Sequence, residues 1–176
     1  MFLGERVASV FEQRGADVRN VRAVMTGQHA LVPLTIRRRL DVLPEFTDTA
    51  EFKQLAVLFK RVRNIAKQLP EDSFRAIEAG GGALSALTDP AELALRDDIA
   101  RRAPAIRHAV DAGDGYRRAF GEAAAFGPAV AKFFDDVMVM ADDPAVREAR
   151  LTLLRRLEAL ILQLADVSEM VPQSDS

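Results

Sequence analysis

Lys53, Lys60 and Lys67 recur every seven residues in this chain, with Asn64 between the last two and Arg61 and Arg63 beside them. On a helix of about 3.6 residues per turn a seven-residue step returns to nearly the same face, so Lys53, Lys60, Asn64 and Lys67 make a cationic ridge with an amide in it. Arg37, Arg38 and Arg39 lie just upstream. Cations so spaced can hold phosphates, and an amide or a guanidinium can hydrogen-bond or stack on an unpaired base; this is the chemistry of RNA contact rather than of bond-making. The same spacing also describes an ordinary solvated helix face, and that reading stays open beside the first.

The acidic residues offer a second chemistry. Asp135-Asp136 and Asp142-Asp143 flank Val137-Met138-Val139-Met140, and magnesium binding to the four carboxylates would make the chain an enzyme. Adjacent helical residues point about a hundred degrees apart, however, so Asp135 and Asp136 are poorly placed to share one ion. Asp143 precedes Pro144 and reads as a helix N-cap. The two Val-Met pairs read as core filling at a helix junction. His29 and His108 begin no metal-spaced cluster, no nucleophile-base-acid set can be assembled, and the triple glycine at 80–82 does not follow a strand as a phosphate loop would. No metal, cofactor or catalytic residue is therefore expected in the chain.

These groups must be carried by a small framework. The chain has 176 residues and a formal charge of −2, which suits one domain and gives no overall attraction to DNA or to an anionic membrane. There is no cysteine, so thiolate chemistry and disulfides are excluded, in keeping with a reducing compartment. No apolar run reaches the ~18 residues of a membrane span, and Glu5, Arg6 and Glu12 interrupt the N-terminal stretch. A cytoplasmic location is expected.

Leu, Ala, Arg and Glu dominate and alternating strand patterns are missing, so an all-α helical bundle is predicted. Helices are expected over about 2–14, with Phe2, Leu3, Val7, Val10 and Phe11 inward; after Asp17; from Pro33 to Pro44; and over 49–69, with Phe52, Leu55, Phe59, Val62, Ala66 and Leu69 as its apolar stripe. A non-helical, flexible segment is expected over about 71–88 around Gly80-Gly81-Gly82, with a subdomain break near 78–88. Asp89, Pro90 and Glu92 spell a capping box opening the next helix, which Pro104 should kink or divide. A turn at Gly113-Asp114-Gly115, a helix after it, another from Gly127-Pro128 and a last one from Asp143 complete one domain over 1–170, with a disordered tail at 171–176.

Two segments carry a likeness to known proteins. "FKRVRNI" (59–65) and "FFDDVMVMADDPAVREARLTLL" (133–154) resemble the C-terminal region of the beta subunit of bacterial glycyl-tRNA synthetases, and the likeness runs from about Phe2 to Val167. Ala149 stands where that family carries asparagine, and the DALR tetrapeptide of the broader domain class is absent. The resemblance implies a helical anticodon-binding domain similar in fold to the C-terminal domain of class I arginyl-tRNA synthetases. It implies tRNA-Gly, the alpha subunit and the remaining beta-subunit domains as partners, with ATP and magnesium used by the whole enzyme. Arg37, Arg38, Arg39, Lys53, Lys60, Arg61, Arg63, Asn64 and Lys67 are the expected RNA-binding set. Complete beta subunits of that family are several times longer, so a C-terminal fragment or a split gene product is expected. A bundle that docks on other synthetase domains without binding RNA is the alternative.

Overall fold

The structure is a computed structural model and describes residues 2–25 and 32–171, with side chains from residue 4 onward. The side chains of Phe2 and Leu3, together with Gly27, His29 and the tail from 172 to 176, lie outside the described residues. Every regular element among those described is helical: α1 (Phe2–Gln13), α2 (Val18–Val24), α3 (Pro33–Val42), α4 (Pro44–Thr47), α5 (Ala50–Ala66), α6 (Glu71–Gly80), α7 (Pro90–Ala112), α8 (Tyr116–Ala124), α9 (Gly127–Asp136), α10 (Pro144–Leu162) and a closing 3₁₀ turn (Val167–Met170).

Helix α5 sits at the centre because its sequence is apolar on one side only. Phe52, Leu55, Phe59, Val62, Ala66 and Leu69 are all buried, as their three-and-four spacing requires. They pack against α10, α9 and the 3₁₀ turn, where Leu153, Leu154, Leu157, Leu160 and Leu164 supply the facing apolar surface. Each such side chain contributes about 1.5–3 kcal/mol when fully buried. At the start of α5, the rings of Phe46, Phe52 and Phe120 meet pairwise with centroids 6.0–6.4 Å apart, joining α4, α5 and α8.

The helix starts follow local chemistry. Asp17 accepts from the backbone N–H groups of Arg19 and Asn20, Thr49 from Phe52, and Asp143 from Ala145 and Val146. Asp89 and Glu92 form the reciprocal capping box, so the orphan donors at these termini are satisfied. Gly113 ends α7 with φ of 67°, a left-handed conformation that costs glycine little.

Several expectations are corrected. The stretch from 71 to 80 is not a loop but helix α6, which ends at the triple glycine, where Gly81 takes φ of 68°. Phe74 and Ile77 lean on the core, and Glu71 and Glu78 pair with Arg155 and Arg156 of α10. The residues after it are anchored too: Leu87 is buried in the same apolar cluster as α5 and α7. Pro104 does not divide α7, because Leu95, Ile99, Ala103, Ile106 and Ala109 bury an uninterrupted face across it. Val10, expected inward, is exposed. The Val-Met segment is only half core. It leaves the helix at Val137, which is extended, and bends at Val139 and Met140, and its side chains alternate: Val137 and Val139 are buried, whereas Met138 is 77% exposed and Met140 half-exposed.

Candidate nucleic-acid interface

The ridge foreseen on α5 exists as a continuous exposed stripe, and it includes a residue the lysine spacing did not flag. Lys53, Val57, Lys60, Asn64 and Lys67 follow one another at steps of four, three, four and three, and all five are exposed. Val57 is 59% exposed; its place between Lys53 and Lys60 on the helical face was the signal that would have found it. Lys60 and Lys67 make no ion pair among the described residues, and Lys53 stands 3.7 Å from Asp48.

Arg61 and Arg63, beside the stripe, are held by the protein. The Arg61 guanidinium lies 4.2 Å above the centre of the Phe134 ring of α9, a cation–π contact that leaves its other face toward solvent. Arg63 is half-buried. It donates to Asp166 and to Ser168 Oγ (3.3 Å), and its Nε lies 3.5 Å from Glu158. Asp166 in turn caps the 3₁₀ turn through Ser168 N (3.2 Å), and its own N–H donates to the carbonyl of Ala23 (2.8 Å). Arg63 is thus a tie between α5, α10, α2 and the C-terminal turn. Lys60, Arg63, Asn64 and Lys67 line a shallow recess of about 370 Å³ with Glu158 and Ser168. Glu158 is already engaged by Arg155 (2.8 Å), so the recess presents its two lysines uncompensated.

The upstream arginine triplet does not stay together. Arg37 is exposed, 4.0 Å from Asp41. Arg38 donates to the Gly113 carbonyl at 2.6 Å. Arg39 is 1% exposed and cannot meet an external phosphate, a correction to the expected set. It donates to Leu164 O at 3.1 Å and lies 5.1 Å above the Tyr116 ring. Three consecutive helical residues spread over about 200° of the helix, so one of them had to face inward.

The carboxylates considered for magnesium are used locally or stand apart. Asp136 accepts from Lys132 at 2.6 Å, which holds the Lys132 pKa above its ordinary value; Asp143 caps α10, and Asp135 and Asp142 are exposed. Among the described residues no group of three or more His, Cys, Asp or Glu side chains is placed to hold a metal. His108 is exposed on α7. No described helix is long and apolar enough to cross a membrane.

A second concavity, of about 860 Å³, opens at the other end of the stripe. Its walls come from α1, α2, α3, α4, the start of α5 and the C-terminal turn, and Lys53 and Val57 belong both to it and to the stripe. Sequence reasoning missed it because its residues are spread over six elements and none forms a motif.

No family model matches the chain. Curated relatives do. The chain is 40% identical over 172 residues to the "Glycine--tRNA ligase beta subunit" of Anaeromyxobacter dehalogenans, 32% over 167 residues to that of Psychromonas ingrahamii and 34% over 169 residues to that of Dechloromonas aromatica. These alignments take in 94–96% of this chain and 22–23% of each relative. The chain is therefore similar, along nearly its whole length, to one region spanning less than a quarter of proteins that carry that name.

Proposed function

We propose that this chain is an RNA-binding helical domain of the glycyl-tRNA synthetase beta-subunit kind, which holds tRNA-Gly while glycine is activated and transferred elsewhere in the assembly. On this reading the fold is the anticodon-binding type of the arginyl-tRNA synthetase C-terminal domain. The partners are the alpha subunit and the remaining beta-subunit domains, and ATP and magnesium are used by the whole enzyme rather than held here. The α5 stripe carries the reading: two lysines without carboxylate partners among the described residues, one turn either side of an exposed amide, on a protein whose net charge is −2. Lys53, Lys60 and Lys67 contact phosphates, Arg61 adds charge from its perch on Phe134, and Asn64 meets a base. Arg37 and Arg38 lie on neighbouring α3, whereas Arg63 acts by holding α5 in place.

Titration of tRNA-Gly against the parent and a Lys60→Ala/Lys67→Ala double variant tests this. Two lost phosphate contacts reduce the slope of log affinity against log salt by roughly 1.5, at about 0.7–0.9 per contact. Equal affinity and equal slope would reject the stripe. The alternative, a bundle that docks on other synthetase domains, is favoured by the exposed Met138 and Met140, since flexible thioethers suit protein contacts. Co-purification with those domains and no RNA binding at low salt would select it.

A further inference from the structure

We propose that the 860 Å³ groove at the Lys53 end of the stripe is a pocket for a single unpaired ribonucleotide, with Asn20 as the residue that hydrogen-bonds its base. The inference rests on the RNA-binding reading above and adds a site to it. The volume lies within the roughly 300–1,000 Å³ of small-molecule sites.

Its construction suits a base and its phosphates together. Leu40 and Phe52 form an apolar floor, with Phe11 and Met170, both half-buried, at the sides. Asn20 lines the groove and is only 7% exposed, yet its side-chain amide makes no hydrogen bond among the described residues. Neither amide atom is sealed from solvent, so the amide keeps access to the groove, where a ligand offering both a donor and an acceptor can replace water. The hydrogen-bonding edge of a nucleobase is such a ligand.

The rim supplies charge. Arg14, Arg19, Arg37 and Lys53 stand around the groove, and Arg14 and Arg19 have no ion pair among the described residues. Of the facing carboxylates, Asp17 is committed to capping α2, while Asp41 and Asp48 are near Arg37 and Lys53. The balance favours an anion beside an apolar, hydrogen-bonding body. Continuity points the same way. Lys67, Lys60 and Lys53 form a line along α5, about 21 Å long at 1.5 Å per residue, that ends at this groove. A single strand that follows the lysines delivers a base to Asn20.

Short single-stranded oligoribonucleotides that differ only in their central base are titrated against the parent chain, Asn20→Leu, Arg14→Gln/Arg19→Gln and Lys60→Ala/Lys67→Ala. In parallel, strands carrying 4-thiouridine at the centre are photo-crosslinked to the parent and the attached peptides are mapped. The expected results are preference for particular central bases, a 10- to 100-fold loss of that preference in Asn20→Leu with the salt slope kept, a reduced slope in Arg14→Gln/Arg19→Gln, and crosslinks in α1, α2 or the 3₁₀ turn. Crosslinks confined to the distal half of α5, with Asn20→Leu like the parent, would overturn the pocket and leave the stripe standing. Absence of any RNA binding by the parent at low salt would overturn both. So would finding the groove filled, in the assembled synthetase, by a protein segment that RNA does not displace. Because the crosslinks use the parent, a misfolded Asn20→Leu does not block the test.

Discussion

Replacing Glu92 by alanine should remove a large share of this protein's stability. Glu92 is fully buried at the first turn of α7. Its carboxylate accepts from the N–H groups of Thr88 (2.8 Å) and Asp89 (2.9 Å) and from Arg150 Nε, while Arg150 Nη1 donates to Met138 O at 2.7 Å. One ion pair thus joins the start of α7, the middle of α10 and the extended segment after α9. Loss of the carboxylate strands two backbone donors and a largely buried guanidinium, and breaking such a pair costs about 3–5 kcal/mol. Against a total of about 5–15 kcal/mol that is roughly a fifth of the whole or more. It corresponds to a melting-temperature drop on the order of 10 °C, at about 2–4 °C per kcal/mol for this size.

Arg150→Met should cost less, because the carboxylate keeps its two backbone donors and the helix N-terminus. The Glu92→Ala/Arg150→Met double variant should cost less than the two single changes added together, with a coupling of at least 1 kcal/mol. The pH dependence has a definite sign. Burial alone would raise the Glu92 pKa, but the hydrogen bonds from Arg150, Asp89 and Thr88 and the Arg150 charge hold it below its ordinary 4.5. The contribution is therefore complete above about pH 4.5 and fades as acid is added below it, in the parent but not in the double variant. Urea unfolding followed by circular dichroism reads all of these. Glu92→Ala within 1 kcal/mol of the parent would refute the reasoning.

Two further outcomes follow from burial. Arg39 is buried with one hydrogen bond, and its Nε and Nη2 have none, so Arg39→Met should lie within about 1.5 kcal/mol of the parent or exceed it; a loss above 3 kcal/mol in urea unfolding would show that the charge is needed. Met138→Ser/Met140→Ser should change stability by about 0.5 kcal/mol or less, since both side chains face solvent, and a larger drop would place them in the core after all.

The sequence made the helices legible where pattern and punctuation agreed. Residues 49–69 have both an unbroken apolar stripe and a threonine cap, and Asp89-Pro90 with Glu92 leaves one choice of start. Around 71–88 they conflicted. The glycines mark a stop, but a stop ends the helix before it as readily as it describes a loop, and Phe74 with Ile77 was a stripe too short to stand alone without the α10 partners that hold it. Met138 and Met140 show the same dependence on conformation: on a helix they would lie about 200° apart and could not both face inward, whereas in the non-helical segment after α9 Val137 and Val139 turn in and both methionines turn out.

The candidate surface was half legible for a related reason. Side chains on one helix are ordered by the helical repeat, so Lys53, Lys60, Asn64 and Lys67 could be aligned from spacing alone. Which neighbours would be consumed internally depended on residues a hundred positions away: Arg63 is committed to Asp166, and Arg39 to the Leu164 carbonyl. A cation count therefore overstates a basic surface in an arginine-rich helical protein, because guanidiniums reach backbone carbonyls and rings as well as carboxylates. The groove beside Asn20 lies at the far end of this logic. Its cations, floor and amide come from separate helices that only the burial of α5 brings together, so a core variant that loosens α5 should weaken the groove and the stripe at once, whereas Lys60→Ala/Lys67→Ala, away from the groove, should leave the proposed base preference intact.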